Sequence, residues 1–321
     1  MLACIDLGSN SFHLLIGEFE DGRIQIVERC SENVQLGEDV SKTGVISPQA
    51  FQRGLQCLRQ FNSLMAQHPL EQYWALGTNT FRVTRNAGEF IEAAQNLGIR
   101  LSTISGVQEA VLIYAGVITS LPLTMSHRLV VDIGGGSTEV IVGEGQHRLL
   151  TESLQLGSVA WRDQFFANGP TSGRKLEDQM DAGVTAAKSI FAAVALGISK
   201  AGWTEAYASS GTVKMLASIC EAHGYGQEII DLEALYTLKT RIASCIAQGT
   251  DLAGMKERRR DLLLAGWCVM VGLLESYKIQ TINFSSTALR EGMLDFMARN
   301  SKTIQTMERS NLPQVTHAKS Q

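Results

Sequence analysis

No stretch of this chain reaches the roughly 18–20 uninterrupted apolar residues of a membrane span, and no basic segment with a small-residue cleavage site precedes the first apolar run, Leu2-Ala3-Cys4-Ile5. A cytoplasmic protein with no membrane partner is therefore expected. Metal-type cysteine spacing is also missing. The six cysteines, at positions 4, 30, 57, 220, 245 and 268, form no CxxC pair and stand mostly among apolar neighbours, which suits reduced core thiols. A surplus of positive charge is absent too: 28 Lys and Arg face 32 Asp and Glu, for a net charge of −4. Nonspecific nucleic-acid binding needs many phosphate-neutralising cations on one face, so nucleic acid is not an expected partner. What remains is a chain of 321 residues, 45% hydrophobic and 19% charged, long enough to bury the cores of two domains.

The most informative stretch is Asp132-Ile133-Gly134-Gly135-Gly136-Ser137-Thr138-Glu139, set between the apolar runs Leu129–Val131 and Val140–Val142. It reads as strand, glycine turn, strand. Successive glycines remove every Cβ and expose backbone N–H groups, so a phosphate can approach the main chain closely. Asp132 and Glu139 bracket this cradle. Carboxylates would repel a phosphate unless a hard cation lay between, so the pattern points to a Mg²⁺-phosphate site, or one for another divalent cation. A plain β-hairpin with a flexible turn is the alternative.

A second copy argues for the phosphate site. Asp6-Leu7-Gly8-Ser9-Asn10-Ser11 follows one apolar run and precedes another, Phe12–Ile16, with Asp6 matching Asp132, Gly8 matching Gly134 and Ser11 matching Ser137. The repeat implies two related lobes facing one another, each offering a phosphate-binding hairpin to a shared cleft. The duplicated hairpin resembles the actin, sugar kinase and Hsp70 superfamily.

Between the copies, Asp21-Gly22 signals a turn that makes the N-terminus a three-stranded meander. Ser47-Pro48 then starts a long amphipathic helix carrying Phe51, Leu55, Leu58, Phe61, Leu64 and Met65. A strand at Tyr73–Leu76, the loop Gly77–Arg82, a helix over 87–97, a strand over 100–104 and the Ser105-Gly106 turn complete a βαβ pattern, and the loop lies where α/β sheets bind ligands. The next helix begins at Val107-Gln108-Glu109. Pro122 marks a break, giving lobes 1–122 and 123–300 and a polar, mostly unanchored tail over 301–321. In the second lobe an alanine-rich helix is expected over 181–196, and Ser209–Lys214 forms a strand-loop-helix junction able to hold another anion at Gly211 and Thr212. Two helices, over 232–247 and 258–277, a strand over 279–284 and a helix holding Arg290-Glu291-Gly292 follow.

Taken together, Asp6–Leu14, Gly77–Asn86, Ile104–Val117, Asp132–Glu139, Ser209–Lys214 and Arg290-Glu291-Gly292 resemble the exopolyphosphatase and guanosine pentaphosphate phosphohydrolase (Ppx/GppA) family, from Cys4 to about Asp295. The resemblance implies an α/β fold of two actin-like, ribonuclease H-like lobes with a phosphate-binding cleft between them. It also implies hydrolysis of a terminal phosphoanhydride, in polyphosphate or in guanosine pentaphosphate (pppGpp to ppGpp). Such chemistry must align a water, accept its proton and neutralise charge on the phosphate. By the family pattern Glu109 handles the water, Arg82 neutralises a phosphate, and Asp132 and Glu139, with Asp6 as a third carboxylate, hold the metal. Backbone and hydroxyls of Gly8, Ser9, Asn10, Ser11, Gly134, Gly135, Gly136, Ser137 and Thr138 grip the phosphates.

Two positions depart from the family pattern: Gln108, where many members carry glutamate, and Ala160, where many have arginine. Of the basic cluster Lys256, Arg258, Arg259 and Arg260, the Arg259 and Asp261 positions match a family Arg-x-Asp motif and read as structural rather than substrate-binding. Longer family members carry a further C-terminal domain of HD type. This chain is expected to release product often and to prefer short polyphosphates or guanosine pentaphosphate over long polymers; a homodimer is possible. Competing readings are a sugar-kinase-like phosphotransferase, which would need an acceptor pocket with an aspartate base, and a sensor that binds guanosine polyphosphates without turnover.

Overall fold

The computed structural model describes residues 1–20, 23–122, 124–167, 173–300 and 316–317. The expected Asp21-Gly22 turn and most of the 301–321 tail lie outside the described residues. The chain forms two compact units, Met1–Leu121 with Thr287–Gln321, and Pro122–Ser286.

Unit 1 begins with strands β1 (Leu2–Leu7), β2 (Phe12–Glu20) and β3 (Arg23–Glu32), continues through helices α1 (Val40–Thr43) and α2 (Pro48–Met65) and strand β4 (Gln72–Gly77), then α3 (Asn79–Val83), α4 (Ala87–Asn96), β5 (Leu101–Thr103) and α5 (Gly106–Thr119). Alternation along β1 explains its two-sided burial. Ala3, Ile5 and Leu7 enter one core with Leu55, Leu58 and Phe61 of α2 and Phe90 of α4, whereas Cys4 and Asp6 share the opposite face. β1 runs antiparallel to β2 and parallel to β4, so the meander expected from the sequence is joined edge-on to a βαβ unit. Ser47 caps α2 by accepting from the Ala50 N–H at 3.2 Å, with Pro48 in the first turn.

Unit 2 holds β6 (His127–Ile133), β7 (Thr138–Glu144), β8 (His147–Leu154), α6 (Ser158–Phe165), α7 (Gly173–Ala201), β9 (Glu205–Ser209), α8 (Gly211–Ala222), β10 (Ile229–Asp231), α9 (Leu232–Gln248), a 3₁₀ turn (Glu257–Leu262), α10 (Leu263–Tyr277) and β11 (Thr281–Phe284). The sheet order is β10-β11-β9-β6-β7-β8. By length and composition α7 could cross a membrane over Lys175–Ala201. It is instead a core helix on one side: Leu176, Met180, Val184, Ala187, Phe191 and Ile198 recur at helical spacing in the core with α10. Gly272 lets α10 approach it, since a Cβ there would lie 2.7 Å from that of Ala187.

The chain then returns to unit 1. Helix α11 (Leu289–Asn300) packs on α5 and β1, and Thr316–His317 form a short strand, β12, antiparallel to β4. Placing α11 in the second lobe is therefore corrected. Its Arg-Glu-Gly motif explains the attachment: a Cβ at Gly292 would lie 1.8 Å from the Leu112 carbonyl oxygen of α5, and one at Gly116 equally close to that of Ala288. The two backbones touch, which only glycine permits. Phe296 stacks on Trp74 at 5.3 Å between centroids, and Glu291 accepts from the Ala288 N–H at 2.9 Å. The single helix expected over 258–277 is likewise two elements, the 3₁₀ turn and α10.

Candidate active site

The two hairpins share an internal signature. Gly8 N–H donates to the Ser11 carbonyl at 3.2 Å, and Gly134 N–H donates to the Ser137 carbonyl at 2.9 Å. Their tip carbonyls are also pinned, by different partners. In unit 2 the N-terminus of α6 does this: the Ser158 N–H donates to Gly134 O at 2.9 Å, and those of Val159 and Ala160 donate to Gly135 O at 2.8 and 3.1 Å. In unit 1 the Gly37 and Gln35 amides bind the Ser9 and Asn10 carbonyls at 2.8 and 2.7 Å. Among the described residues no peptide is cis, so each pinned carbonyl turns the next N–H the opposite way. The amides of Gly135 and Gly136, and of Asn10 and Ser11, therefore face away from their supports, as a phosphate cradle requires.

Gly157, just before α6, makes the unit 2 support possible, because a Cβ there would sit 2.4–2.5 Å from the Gly135–Gly136 peptide. Ala160 serves through its amide, so the missing arginine side chain leaves this support intact. The hydroxyls differ in availability. Thr138 is fully buried and donates to Leu156 O at 2.6 Å, and buried Ser9 accepts from Thr80 Oγ1 at 2.8 Å. Ser11 is half-buried and Ser137 buried.

Asp132 and Glu139 are direct partners across β6 and β7, so their side chains share one face. Asp132 accepts from Ser209 Oγ at 2.5 Å, and Glu139, fully buried, accepts from Ser153 Oγ at 2.8 Å. A buried carboxylate needs strong compensation. Two adjacent carboxylates oriented by hydroxyls form an oxygen donor set that fits Mg²⁺, which binds through one or two carboxylates and completes its shell with water and phosphate oxygens. Among the described residues no group of three or more His, Cys, Asp or Glu is placed to cage an ion. Asp6 belongs to unit 1, where its cross-strand partner is His13 rather than an acid, and Arg290 Nη1 lies 3.4 Å from His13 Nδ1. The duplicated hairpins have thus diverged: one carries two acids, the other an acid, a histidine and a nearby guanidinium.

Glu109 stands in the first turn of α5 and is buried. Arg82, on short helix α3, donates through Nη1 to Glu109 Oε2 at 2.7 Å and to Ile104 O at 3.1 Å. The expected separate roles of these residues thus meet in one charge-assisted bond. Gln108 closes a capping box: its side chain accepts from Ser105 N–H at 2.8 Å while its own amide donates to Ser105 Oγ. Its departure from glutamate falls on a position that caps the helix.

At the third junction Ser210 has φ +117°, a conformation rare for a side-chain-bearing residue, and its hydroxyl accepts from the Thr212 and Val213 amides. Thr212 is buried and donates to Ser158 Oγ. Those helix donors are taken up internally. What lies on Gly211 is Arg259, whose guanidinium would be 2.0–2.7 Å from any Cβ at that position. Burial, and then Arg258, pushes Arg259 below the usual arginine range, with Asp261 opposing. The family pattern reads Arg259 as structural; among the described residues its neighbour Arg260 is the member of the basic cluster tied into ion pairs, with Asp251 and Glu257. No periodicity announces such a contact.

A profile of the Ppx/GppA phosphatase family matches residues 15–301. The chain belongs to the Ppx/GppA phosphatase family. Among solved structures, an exopolyphosphatase from Cytophaga hutchinsonii superposes with a TM-score of 0.83 at 26% identity, covering 93% of this chain and 98% of that one. The Ppx/GppA family member of Aquifex aeolicus gives 0.75 at 24%, covering 94% and 98%. An exopolyphosphatase-like protein gives 0.81 at 24%, covering 93% and 99%. The chain thus has the mixed α/β fold of the Ppx/GppA proteins, and its family is one of phosphatases.

Proposed function

We propose that this Ppx/GppA chain is a hydrolase that releases the terminal phosphate of inorganic polyphosphate, guanosine pentaphosphate or both, with a divalent cation as cofactor. The carrying observation is the hairpin of β6 and β7, where two carboxylates stand opposite one another beside a cradle of outward-turned glycine amides. The cradle amides hold non-bridging phosphate oxygens, and the cation that Asp132 and Glu139 would hold supplies neutralisation of the phosphate charge. Glu109 orients the water and accepts its proton. Arg82 positions Glu109 through their bond, and its guanidinium charge neutralises phosphate.

The test is phosphate release from tripolyphosphate, long polyphosphate, guanosine pentaphosphate and ATP, compared with Mg²⁺ present and with excess EDTA. Release from at least one of the first three, lost in EDTA and in Asp132→Asn, is expected. Full activity in either condition would overturn the metal assignment, and release from none of the three would overturn the substrate assignment.

A further inference from the structure

A row of side chains crosses four strands of the unit 2 sheet. Ser209 of β9 is the direct register partner of Asp132 of β6, Asp132 that of Glu139 of β7, and Glu139 that of Ser153 of β8. Directly paired residues point their side chains to the same face, so the row reads hydroxyl, carboxylate, carboxylate, hydroxyl. Each serine bonds the acid on its own side. Ser209 Oγ donates to Asp132 Oδ2 at 2.5 Å, although the Val131 carbonyl also lies 3.4 Å away, and Ser153 Oγ donates to Glu139 Oε1 at 2.8 Å. One oxygen of each carboxylate is thereby fixed in place.

The duplicated hairpin supplies an internal comparison. In unit 1 the same row reads Leu76 of β4, Asp6 of β1, His13 of β2 and Ser31 of β3. The serine of the outer strand recurs, whereas leucine fills the position of Ser209 and histidine that of Glu139. The second carboxylate and the Ser209 hydroxyl thus occur together, in unit 2. Packing alone does not account for Ser209, because Leu76 and Ser209 are equally buried, each 1% exposed. A hydroxyl so deeply placed costs free energy unless it is bonded, and its bond goes to the acid. Glu139 is fully buried as well, so the direction of its carboxylate is set by the groups that bond it and not by solvent.

We propose that Ser209 and Ser153 are positioning residues that set how tightly Asp132 and Glu139 hold a divalent cation. This rests on the metal reading above and extends it to residues that act through the carboxylates. A carboxylate held through one oxygen by a hydroxyl cannot turn freely, so its ordering is complete before a cation arrives. With alanine in place of either serine the acid can turn, and part of the binding free energy goes into ordering it. The two donors come from opposite ends of the row, and between them they keep the carboxylates directed as a cation shared by both demands.

The experiment is binding of Mn²⁺, followed by electron paramagnetic resonance with Mg²⁺ as competitor, to wild type, Ser153→Ala, Ser209→Ala, Ser153→Thr and Asp132→Asn. Mn²⁺ takes the same octahedral oxygen ligands as Mg²⁺ and is observed directly. Each alanine variant is expected to bind both ions about tenfold or more weakly, while Ser153→Thr, which keeps the hydroxyl, stays within about threefold of wild type. Ser153 is half-buried on the edge strand β8, so both of its substitutions can be made without opening the core. Loss in one alanine variant alone keeps the role for that serine and overturns it for the other. Wild-type affinity in both, with Asp132→Asn weakened, overturns the positioning role and leaves the metal reading in place. A loss in Ser153→Ala that threonine does not restore assigns the effect to packing and overturns the role of the hydroxyl. Wild-type affinity in Asp132→Asn overturns the metal reading and the positioning role with it. If wild type releases phosphate from none of the candidate substrates yet the alanine variants lose Mn²⁺, the hydrolytic reading falls and the positioning role stands.

Discussion

Glu109 is bonded to a guanidinium at 2.7 Å and buried at a helix start, so its shape can be kept while its basicity is removed. Glu109→Gln is expected to lower kcat by about 10²–10⁴ with KM little changed, because a general base acts on the transition state and not on binding. Unchanged kcat would reassign the proton acceptor. The thiols make a second prediction at this scale. Cys4, Cys57, Cys220, Cys245 and Cys268 are buried and Cys30 is half-buried. Burial pushes the Cys57 thiol up to about 12 and the Cys220 thiol up to about 11, and it raises Cys4 and Cys268 as well. Cys30 is also raised, by burial and then by Glu32 and Glu28, but a reagent can reach it. Since the thiolate is the reactive form, titration with a disulfide reagent near about pH 8 should modify Cys30 in the native protein and the other five only after denaturation. Rapid native modification of a second thiol would contradict this burial.

At the scale of elements, the contact of α5 with α11 is a backbone-to-backbone crossing set by Gly116 and Gly292. Neither carbonyl at that crossing can yield without moving its helix. Gly292→Ala is therefore expected to destabilise the protein by roughly 1–3 kcal/mol through overpacking, despite the better helix propensity of alanine. Thermal unfolding measures it, and an unchanged or higher midpoint would show that the helices can separate at no cost. The hairpins illustrate the same dependence on support. Their turns are encoded locally, but the direction of their amides is set by α6 in one unit and by Gln35 and Gly37 in the other.

For the whole molecule, the connectivity matters most: unit 2 is continuous, Pro122–Ser286, whereas unit 1 is completed by chain that follows it. A chain ending at Ser286 keeps every residue of unit 2 and deletes α11, with its stack on Trp74 and its crossing with α5, from unit 1. Hydrogen exchange on that variant should show protection lost across β1, β2 and β4 while β6, β7 and β9 keep theirs. Retained protection in β1 and β4 would mean that unit 1 folds without α11.

The sequence alone determined the duplicated Asp-x-Gly hairpins, the helix after Ser47-Pro48 and the acid pair at Asp132 and Glu139, because turn chemistry, capping and strand alternation act over a few neighbouring residues. Even the facing of that pair was implicit, since equal arms on either side of a tight turn bring them opposite. Tertiary structure decided the rest. That α11 belongs to unit 1, that Arg82 bonds Glu109, that Arg259 lies on Gly211 and that Gly157 supports the glycine cradle all depend on residues distant in sequence meeting at van der Waals range. Such meetings leave no period in the chain. They follow from which faces remain to be buried once the local elements have formed, and the close approaches among them are possible only where glycine removes the Cβ.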